Sequence, residues 1–231
     1  MKENIHAGHR ERLKNQILSS EDGAKIPHIK LLEMLLFYGI PQKDTSGIAY
    51  ELLKSFGSLA GVLEADIDEL VKVKGMTRNA ASLIKLMIPV GREYVLSRYG
   101  DGHILKTPEE IGDFILAQYF GIQTECFSML FINRLGKVIA FEIVMSGNVD
   151  SVGISPRLVV EKVLKHEATS VVIAHNHPGG IALPSAADEE ITKQLANVLK
   201  GISVILVDHI IIADDDYVSM ASSKKYNDIF K

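Results

Sequence analysis

The hydrophobic pattern of the chain changes at about residue 100, and this change limits the folds that the chain can adopt. Before that point apolar residues recur at helical spacing, as in the segment 29–39, IKLLEMLLFYG, which ends at a glycine. After it, the β-rich runs CFSMLFIN and KVIAFEIVM are separated by Arg134-Leu135-Gly136, which predicts a hairpin, and the later strand-like runs alternate with amphipathic helical segments. The pattern predicts an all-helical domain over residues 1–100 and an α/β or α+β domain over 101–231, with one sheet and flanking helices.

The composition favours a soluble protein of the cytoplasm. Cys126 is the single cysteine, so no internal disulfide can form and a reducing compartment is expected. Cys126 lies in an apolar run, ECFSMLF, where a small core residue is the expected role. No apolar stretch is long enough to span a bilayer, and the first residues are charged where a secretory signal would be apolar.

The charge of the chain is unevenly distributed. Residues 1–100 contain 14 Lys and Arg against 12 Asp and Glu, whereas residues 101–231 contain 11 against 17. A basic excess in the front part is compatible with an acidic partner such as DNA, although ordinary solvated faces explain the charge alone better. The segment 69–85, ELVKVKGMTRNAASLIK, looks like a helix-hairpin-helix element, whose turn presents backbone amides to a phosphate.

This hairpin departs from the usual Gly-apolar-Gly turn because Thr77 stands where the second glycine is expected. A side chain then occupies the closest approach to a phosphate. DNA contact through residues 1–100 and a plain packing or protein-docking module therefore both remain open. The cations that would face a phosphate are Lys72, Lys74, Arg78 and Lys85.

A pair of histidines follows the short apolar run SVVIA. In an extended segment residues i and i+2 point to the same face, so the imidazoles of His175 and His177 can converge on one ion. Asp188, in the first turn of the next helical segment, can supply a third ligand after the Pro-Gly-Gly turn. Two histidines and one carboxylate leave a position open for water, and this arrangement suits hydrolysis.

Each half of this pattern also has an ordinary structural interpretation. Ser185-x-x-Asp188 is the spacing of a helix capping box, and His-x-His alone is often a pair of polar loop residues. The complete spacing, His-x-His, seven residues, then Ser-x-x-Asp, is much less expected by chance. It resembles the JAMM motif of JAB/MPN metalloproteases.

The surrounding segments narrow the resemblance to the bacterial RadC family, and they cover nearly the whole chain. In the second part they are FINRLGKVIAFE, GNVDSVGISPR, HNHPGG and VDHIIIADDDYVS; in the first part they are HAGHRERL, LLEMLLFYGIPQKDT and FGSLAGVLEA. One departure lies in the loop, where Pro178-Gly179-Gly180 replaces the His-Pro-Ser-Gly pattern of relatives. No ligand is lost by this change.

The resemblance implies a JAB/MPN-type domain with a mixed sheet flanked by helices, preceded by a small all-α domain. It implies one Zn²⁺ per chain and hydrolysis of a peptide or isopeptide bond. Glu142 would be the general acid/base acting on the water, and Ser185 would stabilise the oxyanion. The residues implied as zinc ligands are His175, His177 and Asp188.

Glu142 itself has two interpretations. Its neighbours Phe141, Ile143 and Val144 are apolar, so a carboxylate facing a cleft here would have its pKa raised toward a value useful for proton transfer. An outward strand position exposed to solvent is the alternative.

Two other functions stay open at this stage. One is a DNA-associated accessory protein in repair or recombination with a structural or regulatory metal site, and the other is a protein-binding scaffold on the same fold. His209, in VDHIII, is either a structural histidine or a partner behind a metal ligand. The histidines expected at the surface are His6, His9, His28, His103 and His166.

Overall fold

The computed structural model describes residues 8–21, 25–41, 43–99, 102–147 and 154–231. Helices precede an α+β domain with a mixed sheet of five strands, which confirms the predicted fold class. Contacts divide the chain into two compact units, residues 1–91 and 92–231. The division lies within the helix Arg78–Ser97, before the boundary at residue 100 that the sequence pattern predicts. Among the described residues, no helix is both long and apolar enough to cross a membrane.

The unit 1–91 is helical wherever it has regular structure. Its buried side chains include Leu32, Leu36, Leu52 and Ile84. Gly39 ends the second helix against the last one, because a Cβ at this position would lie 2.6 Å from Ala80 Cα. The helices are α1 (His9–Leu18), α2 (His28–Gly39), α3 (Ser46–Phe56), α4 (Leu59–Glu64), α5 (Ile67–Leu70) and α6 (Arg78–Ser97), the last of which continues into the second unit.

The unit 92–231 contains the sheet, in the strand order β2-β1-β3-β4-β5. The first two strands form the predicted antiparallel hairpin, β1 also pairs antiparallel with β3, and β3 pairs parallel with β4. The elements are α7 (Pro108–Tyr119), β1 (Cys126–Ile132), β2 (Val138–Ser146), α8 (Pro156–Lys165), β3 (Ser170–Asn176), α9 (Ala186–Gly201), β4 (Ile205–Ala213) and β5 (Asp216–Ser219), followed by a 3-10 turn at Asn227–Phe230.

Side chains of β1 alternate between two buried clusters, one on each face of the sheet. Phe127 and Met129 pack with residues of α8 and α9 on one face. Cys126 and Leu130 pack with residues of α7 on the other, so the expectation that Cys126 is a core residue is confirmed. Full burial of a side chain such as Phe127 contributes about 1.5–3 kcal/mol, and both faces of the sheet are therefore stabilised by apolar contacts.

Helix α9 is the crossover between the parallel strands β3 and β4. A crossover of this kind brings the start of the helix back to the end of the strand that precedes it. The end of β3, with His175, and the first turn of α9, with Asp188, therefore lie at the same edge of the sheet.

Candidate metal centre

Three side chains converge at this edge of the sheet, one each from His175, His177 and Asp188. Each offers a ligand atom, and these atoms all lie within 4.8 Å of one another. His175 Nε2 is 2.9 Å from His177 Nε2 and 3.2 Å from Asp188 Oδ1. Around a tetrahedral zinc ion, with bonds of about 2.0–2.1 Å, ligand atoms are about 3.3 Å apart. The two distances from His175 Nε2 are therefore close to the spacing between ligand atoms of one such ion.

The backbone around β3 holds both histidines in place. His175 pairs with Phe127 of β1 and Ile211 of β4, so a strand supports it on each side. His177 continues the line of the strand, because its backbone N–H donates to Ile212 O at 2.8 Å. Its ring is fixed by Nδ1, which lies 3.2 Å from Ile181 O in the following loop. A proton on Nδ1 leaves the lone pair of Nε2 directed toward the cluster.

Asp188 makes three hydrogen bonds with Ser185 besides its contact with His175. Its Oδ2 accepts hydrogen bonds from Ser185 N at 2.7 Å and Ser185 Oγ at 2.6 Å, and Ser185 Oγ accepts from Asp188 N. This is a complete capping box at the start of α9. Burial raises the pKa of Asp188, but the hydrogen bond and charge of a His175 ring that carries both protons, together with the bonds from Ser185, lower this pKa by more, so the net pKa lies below its usual range. The ionised carboxylate is the form that binds metals.

His209 lies directly behind His175, so the second of its two sequence interpretations fits the structure. His175 Nδ1 is 2.9 Å from His209 Nε2, and His209 Nδ1 is 2.6 Å from Thr192 Oγ1. Thr192 also donates to the backbone carbonyl of Asp188. Because a hydroxyl has one proton, His209 Nδ1–H must then donate to Thr192, and His175 Nδ1–H to His209. This order leaves His175 Nε2 unprotonated for a metal.

The surroundings of His209 keep its ring neutral. It is fully buried, and burial first, followed by the nearby His175, lowers its pKa well below the usual value. A neutral ring can accept from His175 and donate to Thr192 at the same time, as the chain of bonds requires. Partners of this kind orient metal ligands and increase their basicity.

The structure does not bring Glu142 to this cluster. Glu142 lies on the edge strand β2 opposite Met129, and cations of α8 and the turn after it surround its carboxylate. Its oxygens are 2.5 Å from Lys162 Nζ, 2.7 Å from Lys165 Nζ and 2.8 Å from His166 Nε2. These contacts, that of Lys162 foremost, lower the pKa of Glu142 to about 2. The expectation of a raised pKa is wrong, because cations and not apolar side chains surround the carboxylate.

The structure also corrects the expectation that His166 lies at the surface. Its ring stacks on Phe131, with 4.3 Å between ring centroids, while Nε2 contacts Glu142. The imidazole is therefore largely covered, and its role is to connect an ion pair with the apolar core.

Glu125 is an acidic residue beside the cluster that the sequence analysis missed. Phe127 pairs with His175, so two further residues along the antiparallel strands bring Glu125 level with His177. The side chain of Cys126 belongs to the opposite face, and by alternation Glu125 shares the face of His175. Glu125 is exposed. The signal in the sequence is its position immediately before a β-rich run, but its partner strand is known only from the fold.

The cations proposed for the hairpin of the first unit are mostly engaged with neighbours. Lys85 Nζ donates to the carbonyls of Leu63 and Glu64 at the end of α4, at 3.2 and 2.8 Å. Lys72 contacts Glu69, and Arg78 lies 3.5 Å from Asp68. DNA contact through residues 1–100 stays a prediction.

Comparison with known proteins places the site inside a recognised domain. A family model described as the RadC-like JAB domain matches residues 105–226, a segment that contains every candidate ligand. A UPF0758 protein of Nitrosococcus oceani is 33% identical over 211 residues, which are 91% of this chain and 94% of that protein. A UPF0758 protein of Stutzerimonas stutzeri is 32% identical with the same coverage.

Proposed function

The chain belongs to the family of RadC-like JAB domains, and from this premise we propose that it is a zinc-dependent hydrolase that cleaves peptide or isopeptide bonds. The observation that carries the proposal is the convergence of ligand atoms from His175, His177 and Asp188. A catalytic zinc site needs three protein ligands and an open position, whereas structural sites usually have four ligands.

The donor set and its surroundings fit zinc. Imidazole nitrogen and carboxylate oxygen are its usual ligands, and His175 has a hydrogen-bonded partner on its second ring nitrogen. Bound zinc would supply Lewis-acid chemistry, by polarising the scissile carbonyl and making a water more acidic. The other steps depend on groups of the chain.

Glu125 is the residue that we assign to proton transfer, in place of Glu142. Its carboxylate would accept a proton from the attacking water and pass it to the nitrogen that leaves when the amide bond breaks. Its place level with His177, on the face of the cluster, supports this role. Glu142, held by Lys162, Lys165 and His166, would contribute to stability only.

Ser185 is the second group of the chain at the scissile bond. Its hydroxyl stands at the start of α9, 2.6 Å from Asp188 Oδ2. A hydroxyl at this position could turn to donate a hydrogen bond to the developing oxyanion. The hydrogen bond from the backbone N–H of Ser185 to Asp188 Oδ2 would remain in place.

Metal content tests the site. The purified protein should contain about one zinc per chain by mass spectrometry, because three ligands and an open position define one site. His177→Ala should lose it, since two ligands bind zinc far more weakly than three. His28→Ala, at an exposed position of the other unit, is the matched control and should keep it. Equal and negligible zinc in wild type and His177→Ala would contradict the site.

Turnover tests the assignment of the base. The zinc-loaded protein is incubated with a proteome-derived peptide mixture and with lysine-linked isopeptides, and new termini are identified by mass spectrometry. Glu125→Gln should keep its zinc and lose about 10²–10⁴-fold in rate, the usual contribution of a general base. Glu142→Gln should retain the wild-type rate. If Glu142→Gln lowers the rate and Glu125→Gln does not, Glu142 has the role that the resemblance implied. If both variants hydrolyse at the wild-type rate, the mechanism is overturned.

A further inference from the structure

Asn176 stands between the two candidate histidine ligands, and its side chain makes two hydrogen bonds to the start of β1. Its Oδ1 accepts from Cys126 N at 2.7 Å, and its Nδ2 donates to Thr124 O at 3.0 Å. Thr124 and Cys126 are the neighbours of Glu125 in the chain. One amide side chain therefore holds the backbone on both sides of the residue assigned to proton transfer.

These bonds are made from the side of the sheet away from the cluster. Asn176 alternates with His175 and His177 along an extended segment, so its side chain points to the opposite face. Cys126 is buried on that same face, among side chains of α7. By the same alternation, Glu125 is placed on the face of the cluster, opposite the amide that holds its backbone.

Two other bonds complete the support of this short segment. Glu125 O accepts a hydrogen bond from Gly147 N at 2.9 Å, and the Tyr119 hydroxyl lies 3.2 Å from Cys126 O. The start of a strand would otherwise fray, since exposed ends open most easily. The side chain of Glu125 is exposed, whereas Asn176 is 4% exposed and its amide forms hydrogen bonds through both its oxygen and its nitrogen.

The two bonds require a side chain that accepts at one atom and donates at another, and an amide does both. A carboxylate of the same shape can accept from Cys126 N, but it cannot donate to Thr124 O. Asn176→Asp is therefore a nearly isosteric change that removes one bond and places an oxygen against a carbonyl oxygen.

We propose that Asn176 is a positioning residue for Glu125: from the opposite face of the sheet, it fixes the backbone that carries the catalytic carboxylate beside His177. The inference rests on the proposed function, because it needs Glu125 as the base. It adds that the residue between the two ligands acts on the proton-transfer group and not on the metal.

The test compares Asn176→Ala, Asn176→Asp, Glu125→Gln and the double variant Asn176→Ala/Glu125→Gln with wild type. Asn197→Ala, at an exposed position of α9, is the control. Each protein is assayed for zinc content, thermal unfolding, kcat and KM on a peptide found by the screen above. Each is also loaded with Co²⁺, and its visible spectrum is recorded as a function of pH without substrate.

We expect both Asn176 variants to keep zinc and to lose about 10–100-fold in kcat with KM little changed, because a displacement of about 1 Å can cost this much. The pH midpoint of the cobalt spectrum should move in the same direction as in Glu125→Gln. The double variant should be no slower than Glu125→Gln alone, since the two residues act through one carboxylate. Asn197→Ala should match wild type.

The outcomes separate this inference from the proposed function. If Glu125→Gln lowers kcat and Asn176 variants do not, the inference is overturned and the function stands. If Glu125→Gln leaves both kcat and the cobalt spectrum unchanged, the assigned base and the inference fall together. Loss of zinc or of folding in both Asn176 variants would also overturn the inference, because the residue would then support the ligands or the fold.

Discussion

Thr192 links the metal-binding residues to the first turns of α9. Its hydroxyl stands between His209 Nδ1, at 2.6 Å, and the backbone carbonyl of Asp188. Which ring nitrogen of His175 carries the proton therefore depends on the hydroxyl of Thr192, which contacts the side chain of none of the candidate ligands. A buried donor without an acceptor costs about 1–3 kcal/mol, and this sets the expected size of the effect.

Thr192→Val should weaken zinc binding by about 10–100-fold, the usual effect of losing a group behind a metal ligand. The reason is that His209 Nδ1–H loses its acceptor, so the tautomer that presents His175 Nε2 to the metal is less favoured. Competition with a chelator measures the affinity. Thr169→Val, an exposed position before β3, is the control and should bind as wild type does. Equal affinity in all three proteins would show that the bond chain has no effect on the metal.

The convergence of the three candidate ligands could be predicted from the sequence, but the acidic residue proposed as the base could not. His175, His177 and Asp188 lie within one strand, one loop and one helical turn, so their convergence follows from local geometry. Glu125 and Glu142 are both acids at β-rich runs, and only strand pairing distinguishes them. Because β1 and not β2 pairs with β3, the acid at the start of β1 is the one near the site.

Strand β2 and helix α8 are held together by an ion cluster in which Glu142 is the common acceptor. Lys162 is largely covered, with 28% of its side chain exposed, whereas Lys165 is 60% exposed. Clusters that are partly shielded from water contribute more than isolated surface pairs. The cluster also attaches the edge strand of the sheet to the helix that covers it, through residues far apart in the chain.

This cluster predicts a pH dependence of stability. The pKa of Glu142 in the folded protein is about 2, against an ordinary value of 4.5. A lowered pKa stabilises the fold above the unfolded-state value, and the contribution is lost as the pH falls from about 4.5 toward 2. Because Lys165 is exposed, we expect about 1 kcal/mol at pH 7 and not the full value of the shift.

Urea unfolding of wild type and Glu142→Gln at pH 7 and at pH 3.5 measures this contribution. The difference in the free energy of unfolding should be largest at pH 7 and should shrink at the lower pH. Glu161→Gln, which breaks the exposed pair with Arg157, should cost less than about 0.5 kcal/mol. A difference for Glu142→Gln that stays constant between the two pH values would contradict the ion cluster as its cause.

The division of the molecule into units 1–91 and 92–231 locates every candidate ligand in the second unit. A ligand that binds only the folded state raises stability by mass action, by about 2.7 kcal/mol at 100 times its dissociation constant. Zinc binding therefore raises the stability of the unit that contains the site. Zinc therefore distinguishes the two units in an unfolding experiment.

Calorimetry of the full chain should show two transitions, of which zinc raises one and leaves the other unchanged. The chelator EDTA should reverse the shift, and His177→Ala should abolish it. A single transition that zinc raises as a whole would mean that the two units unfold as one.

The type of fold was easier to predict than the arrangement of the strands. Alternating β-rich and amphipathic runs predict the hairpin of β1 and β2 and the crossover through α9, because both connect neighbours in the chain. The place of β1 between β2 and β3 depends on its pairing with β3, which joins segments about forty residues apart in the chain. Such pairing depends on which apolar strand faces are buried against each other. The sequence pattern indicates which face of a strand is apolar, but it does not indicate which other strand lies beside it.

The capping box of α9 has a consequence for judging related chains by their motifs. Ser185 and Asp188 begin a helix whether or not a metal is present, so selection for folding alone would preserve them after an enzyme had lost its activity. His177 has no comparable structural role among the described residues, where its ring nitrogens lie within hydrogen-bond distance of a loop carbonyl and of His175. A descendant that had lost the proposed hydrolytic activity is therefore expected to lose His177 before Ser185 or Asp188.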